Sequence, residues 1–463
     1  MPTHVIVGGG PAATNAVETI RLCDAGSSRI VLVSDEPAHS RMAIPYWLCG
    51  KIPREHTYTG DEAYFRRLGV ETRFGTRVVG LDTSRNTVQL QDGTLIAYDS
   101  LLLATGARPI QPEIPGADLP GVLPMWTLAQ AERAIKILET VSDPRVVLVG
   151  AGFIGFIVLN ALYKRGCRLT VIEREQQVLP RMLDSAGAHL VHLWLKEKQV
   201  ALHTGQTVAE IRQQANGTKE VHLTNGTIIP ADLVILAVGI RPNVELAQAA
   251  GIAVEDGILV NDRMQTSVPN VYAGGDVAQG PVLFSSRRQI HAIQPTAVDH
   301  GRVAGANMAG RDVRYPGSLA MNIVDVCGLQ TASFGLWDSG AEHVLTINNP
   351  RDKVYRKLVW KDDQVVGAIF IGRATDMGML TDVGMVKGMI QSQVRLGPWK
   401  LYLEENPFDI RRAYVASGVP QKLLATTLLG MPTRPRGYTP EPAPSITPGA
   451  PHTIFVEAKR QMG

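Results

Sequence analysis

Two glycine-rich loops carry the clearest chemical signal in the sequence. Residues 8–13 read Gly-Gly-Gly-Pro-Ala-Ala, and residues 150–155 read Gly-Ala-Gly-Phe-Ile-Gly. Glycines at this spacing allow a sharp turn and let a phosphate group approach the backbone closely. A helix that begins directly after such a loop offers free N–H groups and a partial positive charge to a pyrophosphate. Each loop could therefore bind a dinucleotide.

The residues around each loop predict the elements that would position it. A helical segment follows each loop, ending near Asp24 or near Arg165, and the next strand ends at an acid, Asp35 or Glu173. A carboxylate at that place can accept hydrogen bonds from ribose hydroxyls. Each unit is thus a strand–helix–strand of about 30 residues. The predicted strands are His4–Val7, Arg29–Ser34, Arg145–Val149 and Cys167–Ile172.

Three further apolar runs end in tight turns. They are Leu-Leu-Leu-Ala-Thr-Gly-Ala at 101–107, Leu-Val-Ile-Leu-Ala-Val-Gly at 233–239 and Asn-Val-Tyr-Ala-Gly-Gly-Asp at 270–276. Short apolar runs bounded by glycine are typical of buried parallel strands. The first two runs close the two units. The alternative, in which the glycine turns only pack a helix on a strand, requires this whole context to occur twice without a ligand.

In this order, the features resemble the pyridine nucleotide-disulfide oxidoreductase superfamily, which has an FAD loop, an ATG-type turn, an inserted NAD(P) domain and a later Gly-Asp motif. The resemblance covers roughly residues 4–315. The stretch at 40–46 is most similar to ferredoxin and rubredoxin reductases, apoptosis-inducing factor and the flavin part of nitrite reductase. The implied fold is α/β, with two Rossmann-like dinucleotide-binding domains, the FAD domain being interrupted by the NAD domain, and an α+β C-terminal domain.

The same resemblance implies an interleaved order of domains. In the C-terminal part, Val354–Trp360 and Gln364–Gly372 read as paired strands around a turn at 361–363. The proline-rich tail is expected to be extended or disordered, although His452–Glu457 could add a strand to a partner. The expected parts are the FAD-binding domain at 1–122 and 243–315, the NAD-binding domain at 123–242, the C-terminal interface domain at 316–430 and the proline-rich tail at 431–463.

For FAD, the resemblance implies contacts from three stretches of the chain. Arg41 would contact phosphates, and its alternative is a solvated surface arginine. Asp276 would hydrogen-bond the ribityl chain, and its alternative is a simple turn aspartate. The FAD-binding residues implied are Gly8, Gly10, Pro11, Ala13, Asp35, Arg41, Ala104, Thr105, Gly106, Gly275 and Asp276.

For NAD, the acid after the second unit decides between the two nicotinamide cofactors. A carboxylate at Glu173 favours a ribose 2′-hydroxyl and repels a 2′-phosphate, so NADH is expected. Arg174 follows directly, which leaves NADPH open. The NAD-binding residues implied are Gly150, Gly152, Phe153, Ile154, Gly155, Glu173 and Gly239.

The sequence departs from this superfamily at two positions. Members that reduce disulfides or peroxides hold a redox cysteine near the flavin, and Met42 takes that place here. Because methionine forms neither a thiolate nor a disulfide, disulfide, persulfide and peroxide reduction are disfavoured. Ile157 replaces a glutamate that lies near the nicotinamide in many relatives. The alternatives for Ile157 are core packing and a changed nicotinamide pocket.

The remaining side chains give no second catalytic group. For Cys49 a packing role is expected, and His291 and His300 are expected to be structural. The sequence has no metal-ligand spacing, and no paired carboxylates or nucleophile–base pair is evident. The chemistry would therefore be carried by the flavin itself. The cysteines are Cys23, Cys49, Cys167 and Cys327.

Composition excludes some partners and locations. The net charge is +3, which favours neither nucleic acid nor a membrane surface. Although the stretch 146–163 is apolar, its glycines favour a strand, a turn and a helix over a membrane span. The first strand begins almost at once, without a secretory signal. A cytoplasmic location is expected.

These observations predict an FAD-dependent NADH:acceptor oxidoreductase. Because a thiol relay is lacking, the expected partner is an iron–sulfur protein or subunit, with electron flow in either direction. The mass beyond Leu396 suggests docking into a larger electron-transfer complex, or a homo- or hetero-oligomer formed through the C-terminal domain and tail. Two alternatives stay open. One is an NADH oxidase that uses oxygen directly, and the other is a flavin-bearing assembly or regulatory protein with little turnover.

Overall fold

The computed structural model describes residues 1–340 and 343–425. Residues 3–109 contain the first glycine loop and its flanking elements. The strands are β1 (Thr3–Val7), β2 (Arg29–Ser34), β3 (Val70–Phe74), β4 (Val78–Asp82), β5 (Thr87–Leu90), β6 (Leu95–Ala97), β7 (Ser100–Leu103) and β8 (Ala107–Pro109). The helices are α1 (Pro11–Asp24), α2 (Ile44–Leu48) and α3 (Glu62–Arg67), with 3₁₀ turns at Arg41–Ala43 and Arg54–Thr57.

The next part of the chain repeats the arrangement around the second loop. Its strands are β9 (Val122–Leu123), β10 (Arg145–Val149), β11 (Arg168–Glu173), β12 (Ala201–Thr204), β13 (Val208–Gln213), β14 (Lys219–Leu223), β15 (Ile228–Ala231), β16 (Leu233–Leu236) and β17 (Ile240–Pro242). Its helices are α4 (Leu128–Thr140), α5 (Phe153–Lys164) and α6 (Ser185–Glu197). The apolar stretch 146–163 is therefore a strand, a turn and a short helix. Every helix in the described ranges is too short or too polar to cross a membrane.

The chain then returns to the first unit. This part contains α7 (Glu245–Ala249), β18 (Ile258–Leu259), β19 (Val271–Ala273), β20 (Ala278–Val282), β21 (Ser285–Gln289) and α8 (Gln294–Met308). The returning strand β19 pairs in parallel with β7, which gives one sheet in the order β19-β7-β1-β2-β3. The second unit forms a separate parallel sheet in the order β12-β11-β10-β16-β9.

The central strands of both sheets are buried on both faces. Val5 and Ile6 of β1 and Val146 and Leu148 of β10 are each at most 1% exposed. Parallel strands covered by helices on both faces need continuous apolar runs, because neither face meets water. The apolar runs read from the sequence therefore form the centres of these two sheets, and the expected α/β fold class is confirmed.

Residues beyond 315 build an antiparallel sheet and a layer of helices. The strands are β22 (Met321–Val326), β23 (Leu329–Gly335), β24 (His343–Asn349), β25 (Val354–Lys361) and β26 (Gln364–Arg373), in the order β22-β23-β26-β25-β24. The hairpin of β25 and β26 is slightly longer than predicted, so its turn is Asp362–Asp363. The helices are α9 (Met377–Gln391), α10 (Trp399–Glu405), α11 (Ile410–Ala416) and α12 (Val419–Ala425).

This C-terminal sheet lies against the second unit. Trp194 of α6 donates a hydrogen bond from Nε1 to the carbonyl of Val326, at 2.9 Å. The Tyr355 hydroxyl donates to Asp184 at 2.6 Å. On the other side, side chains beyond residue 396 fill the core of the C-terminal part, among them Leu403, Ile410 and Val419. These buried side chains serve this chain's own fold, and docking by the rest of the segment stays a prediction.

Some predictions lie outside the described residues or are tested by no observation. The tail at 431–463, including the strand expected at His452–Glu457, lies outside the part of the chain that is described. The domain boundaries also stay a prediction. Small differences occur at element ends: β11 runs from Arg168 to Glu173, one residue later than expected, and α5 ends at Lys164.

Candidate functional site

The first glycine loop lies between the end of β1 and the start of α1. Gly8 has φ +115°, and a Cβ placed on it would lie 2.1 Å from the carbonyl oxygen of Ala104, so the fold itself requires glycine there. Gly10 differs, because its φ is −81° and, apart from its two chain neighbours, no described residue has an atom within 4 Å of a Cβ placed on it. The fold therefore leaves open space at Gly10, directly before Pro11, the first residue of α1. That space suits a ligand phosphate.

The second loop repeats this geometry. Gly150 has φ +104°, and its Cβ would lie 2.4 Å from the carbonyl oxygen of Ala237. Gly152 has φ −82° and open space around its Cβ position among the described residues. The next two residues, Phe153 and Ile154, begin α5 and are half-buried. In both units, one glycine is required by backbone packing and one faces open space at a helix N-terminus.

The third small residue of each loop closes the packing of helix on strand. Ala13 is fully buried. A Cβ on Gly155 would lie 2.5 Å from the carbonyl oxygen of Gly150. The helix therefore comes so close to its own loop that no side chain fits at Gly155.

The two acids after the loops have different surroundings. The Asp35 side chain is 57% exposed and pairs with Arg77 at 2.9 Å. Glu173 is only 7% exposed, and its carboxylate accepts hydrogen bonds from the backbone N–H groups of Ala151, at 2.7 Å, and Glu175, at 2.9 Å. Glu173 is thus fixed against the second glycine loop, whereas Asp35 lies at the surface.

Arg41, Gly106 and Asp276 come together although they are far apart in the sequence. Arg41 Nη1 lies 3.7 Å from Asp276 Oδ2. A Cβ on Gly106 would lie 3.5 Å from the same Nη1. Burial raises the pKa of the Asp276 carboxyl, and the positive charge of Arg41 opposes that rise. The preceding Gly275 has φ +79° and packs on Ala12 of α1, which places this turn beside the first loop.

Three residues at this place gave no sequence signal. The Arg41 guanidinium carbon lies 4.4 Å from the centroid of the Trp126 ring. Glu36 Oε1 accepts a hydrogen bond from the Leu128 N–H at 3.2 Å. Ser40 donates from its hydroxyl to Gln294 Oε1, at 3.1 Å, which ties the start of α8 to this cluster. Because Trp126, Glu36 and Gln294 belong to no local motif, only the tertiary structure brings them to the site.

The two chain crossings between the units are hydrogen-bonded to each other. Thr105 donates from Oγ1 to the carbonyl of Asn243, at 3.0 Å, and Asn243 donates from Nδ2 to the carbonyl of Thr105, at 2.8 Å. Strands β8 and β17 pair directly beside them. Gly239, with φ +126°, precedes β17 and accepts through its carbonyl from the Ile110 N–H at 3.0 Å. The predicted turns at 104–106 and 237–239 therefore lie where the two units meet.

Met42 takes the place of a redox cysteine and cannot form a thiolate, and two of the cysteines are buried. Met42 is 41% exposed, next to Arg41. Cys49 donates from Sγ to the carbonyl of Tyr46 at 3.3 Å and packs on the core of the second unit. Burial raises the pKa of Cys167 to about 11 and that of Cys327 to about 12, so both thiols stay protonated at neutral pH.

Ile157 and the two histidines singled out from the sequence lie in packed surroundings. Ile157 is half-buried and packs against the core of the second unit. His300 is 2% exposed, with the Tyr315 ring edge-on at 5.1 Å between centroids. Burial lowers the pKa of His300 to about 3, and it also lowers the pKa of His291. Both imidazoles are therefore neutral at neutral pH, and their structural role stays a prediction.

Comparison with known proteins identifies the family of this chain. Residues 2–301 match the family described as pyridine nucleotide-disulphide oxidoreductase. The chain belongs to this family. It is accordingly an NAD(P)H oxidoreductase whose cofactors are FAD and NAD(P)H. The open spaces at Gly10 and Gly152, each before an uncapped helix N-terminus, suit the two pyrophosphates.

Several relatives match over most of their length. The epsilon subunit of an NADH-dependent phenylglyoxylate dehydrogenase from Aromatoleum evansii is 31% identical over 417 residues, which are 88% of this chain and 96% of the relative. An NADH oxidase from Methanocaldococcus jannaschii is 32% identical over 72% of this chain and 75% of the relative. Among solved structures, a covalent complex of putidaredoxin reductase with putidaredoxin matches with a TM-score of 0.80 and 25% identity, over 90% of this chain and 99% of that chain.

Proposed function

We propose that this chain is an FAD-dependent NADH:acceptor oxidoreductase that passes electrons between NAD(H) and an iron–sulfur protein or subunit. In this proposal it is the flavoprotein component of a larger electron-transfer complex. One observation carries it: the two glycine loops have the same local geometry, and the chain crossings between their units are hydrogen-bonded to each other, while Met42 stands where a redox cysteine would be needed. Reduction of disulfides through a protein thiol is therefore disfavoured.

The residues of the first site would hold FAD. The N-terminus of α1 and the open space at Gly10 would receive its pyrophosphate. Arg41 would contact the phosphates, and Asp276 would accept a hydrogen bond from the ribityl chain. Asp35, at the end of β2, would bind the adenosine ribose. When bound, FAD supplies the redox chemistry, exchanging hydride with a nicotinamide and single electrons with the acceptor, while the protein supplies orientation.

The residues of the second site would hold NADH. Gly152 and the start of α5 would bind its pyrophosphate in the same way. Glu173 is already fixed by two backbone N–H groups, and its remaining lone pairs would accept from ribose hydroxyls. A 2′-phosphate would lie against this carboxylate and be repelled. This arrangement supports NADH over NADPH.

Two relatives support the proposal that the partner is an iron–sulfur protein or subunit. One is a subunit of a larger dehydrogenase, and it matches this chain over nearly its whole length. The other is putidaredoxin reductase in a covalent complex with putidaredoxin. An oxidase that uses oxygen directly is the second candidate, because one relative is named as an NADH oxidase.

Anaerobic reduction separates these candidates. The purified yellow protein would be mixed with NADH under argon, and its flavin absorbance followed before and after an acceptor is added. Bleaching, followed by fast recovery with a ferredoxin and slow recovery in air, supports the proposal. Fast recovery in air alone favours the oxidase. Protein that does not bleach with NADH, or that carries no flavin, contradicts both candidates.

A further inference from the structure

The indole ring of Trp126 stacks on the arginine of the candidate FAD site. The guanidinium carbon of Arg41 lies 4.4 Å from the ring centroid. This distance is well within the range of a cation–π contact, which is worth about 0.5–2 kcal/mol depending on its exposure to water. Trp126 belongs to the segment leading into the second unit, whereas Arg41 and Asp276 belong to the first. One ring therefore reaches from one unit to the site of the other.

The position of Trp126 is fixed by hydrogen bonds on both sides. Its Nε1 donates to the carbonyl of Ala107 at 2.7 Å, directly after the turn at 104–106. Its backbone N–H and that of Thr127 both donate to Gln130 Oε1, each at 3.0 Å, as part of the cap that begins α4. These bonds hold the indole while leaving its face free for a cation.

Arg41, by contrast, is weakly held by hydrogen bonds. Its Nε is buried and has no hydrogen-bond partner in the described ranges. Asp276 is the one acid there within 4 Å of its guanidinium, at 3.7 Å, while Glu36 and Asp35 are more distant acidic neighbours. An arginine carries about 2 kcal/mol of side-chain rotamer entropy. Stacking on a fixed ring restricts that freedom without using up the N–H donors, so these donors stay available for a phosphate.

We propose that Trp126 is a positioning residue for FAD, which acts by holding the Arg41 guanidinium ready for the cofactor. This inference rests on the proposed role of Arg41 at the FAD phosphates. It further implies that the FAD site is complete only when the segment leading into the second unit is in place. Trp126 itself need not touch the cofactor.

A double-mutant cycle tests this indirect action. Apoprotein would be prepared from the wild type, Trp126→Leu, Arg41→Met and the double variant, and each would be titrated with FAD. We expect Trp126→Leu to weaken binding by about 2- to 30-fold, which is the cation–π range converted at 1.4 kcal/mol per tenfold. In the Arg41→Met background the same change should have no further effect. Trp126→Phe, which keeps an aromatic face, should restore most of the affinity.

Controls keep the result interpretable. Trp399→Leu makes the same chemical change in α10 and should leave FAD binding unchanged. Apoprotein melting temperatures report folding, and if Trp126→Leu does not fold, the cycle is run with Trp126→Phe, whose smaller loss must also vanish in the Arg41→Met background. The inference would be overturned if Trp126→Leu reduced FAD affinity equally in the wild-type and Arg41→Met backgrounds, or if Trp126→Leu alone kept the native affinity. Either result would leave the proposed function intact. Wild-type protein that binds no flavin would instead refute the proposed function.

Discussion

Arg41 and Asp276 face each other at 3.7 Å, between Arg41 Nη1 and Asp276 Oδ2, although the whole second unit separates them in the sequence. The Asp276 side chain is 17% exposed. Burial disfavours its charged form and raises its pKa, and Arg41 partly offsets that cost. The candidate FAD site therefore places an incompletely compensated carboxylate beside a cation, and a ligand with hydroxyl donors would satisfy that carboxylate.

Neutralising the Asp276 carboxylate should weaken FAD binding without lowering the stability of the apoprotein. We expect Asp276→Asn to weaken FAD binding by about 10- to 100-fold, because a charge-assisted hydrogen bond worth about 1.5–3 kcal/mol is lost. The apoprotein should be at least as stable as the wild type at neutral pH, because a buried charge whose pKa is raised opposes folding there. Flavin titration and thermal melting measure the two effects, with the exposed Asp256→Asn as the control. Native FAD affinity in Asp276→Asn would remove Asp276 from the site.

The open glycines allow each cofactor to be excluded separately. Gly152→Val should fold, because its φ of −82° suits any residue and its Cβ position is open among the described residues. Its side chain would occupy the space proposed for the NADH pyrophosphate. The variant should stay yellow, bleach with dithionite and fail to bleach with NADH, as followed by stopped-flow absorbance.

The matching change in the first loop serves as its counterpart. Gly10→Val should give a folded protein that is isolated without flavin, because Gly10 has the same backbone conformation and the same open space. NADH reduction at the native rate in Gly152→Val, or full flavin content in Gly10→Val, would contradict the assignment of the corresponding loop.

Local sequence patterns predicted the parts of the fold that are locally determined. Strand β2 was expected at Arg29–Ser34 and is found there, and α1 ends at Asp24 as expected. Unbroken apolar runs in the sequence indicate buried parallel strands, and glycine-rich loops indicate the turns between a strand and a helix. The pairing of Val354–Trp360 with the following strand was likewise predicted, because two runs of strand-forming residues flank a short polar turn.

The tertiary contacts of the site could not be read in this way. Arg41 and Asp276 were each expected near FAD through the family resemblance, but no spacing in the sequence predicts that they pair with each other. Trp126 and Gln294 lie outside every motif, and their roles depend on which loops meet in three dimensions. The packing of Leu403 into its own domain core was also hidden, because a short apolar segment reads alike whether it meets its own chain or a partner.

Glu173 should control the choice between the two nicotinamide cofactors. We expect Glu173→Gln to lower the ratio of kcat/KM for NADH to that for NADPH by about tenfold or more, because the charge that repels a 2′-phosphate is removed. Glutamine keeps one acceptor oxygen for the Ala151 N–H, so the glycine loop should stay in place, whereas the Glu175 N–H loses its acceptor. Steady-state rates with both cofactors measure the ratio. Glu404→Gln, a change of the same kind at an exposed residue of α10, is the control and should leave the ratio unchanged. An unchanged ratio in Glu173→Gln would mean that another group selects the cofactor.

His300 should make the folded state sensitive to mild acid. Its pKa is about 3 in the folded protein and 6.5 as the ordinary value, so between these values the unfolded chain binds the proton and the folded protein does not. The protonation of His300 therefore does not reduce the free energy of unfolding above pH 6.5, and it reduces this free energy progressively as the pH falls toward 3. Between pH 7 and pH 5 the wild type should lose about 2 kcal/mol more unfolding free energy in urea than His300→Gln.

His291 also has a lowered pKa, but it contributes equally to both proteins, and exposed His56→Gln should behave as the wild type. Identical pH profiles for the wild type and His300→Gln would show that His300 is protonated within the fold, and thus that its surroundings admit water or an acidic partner.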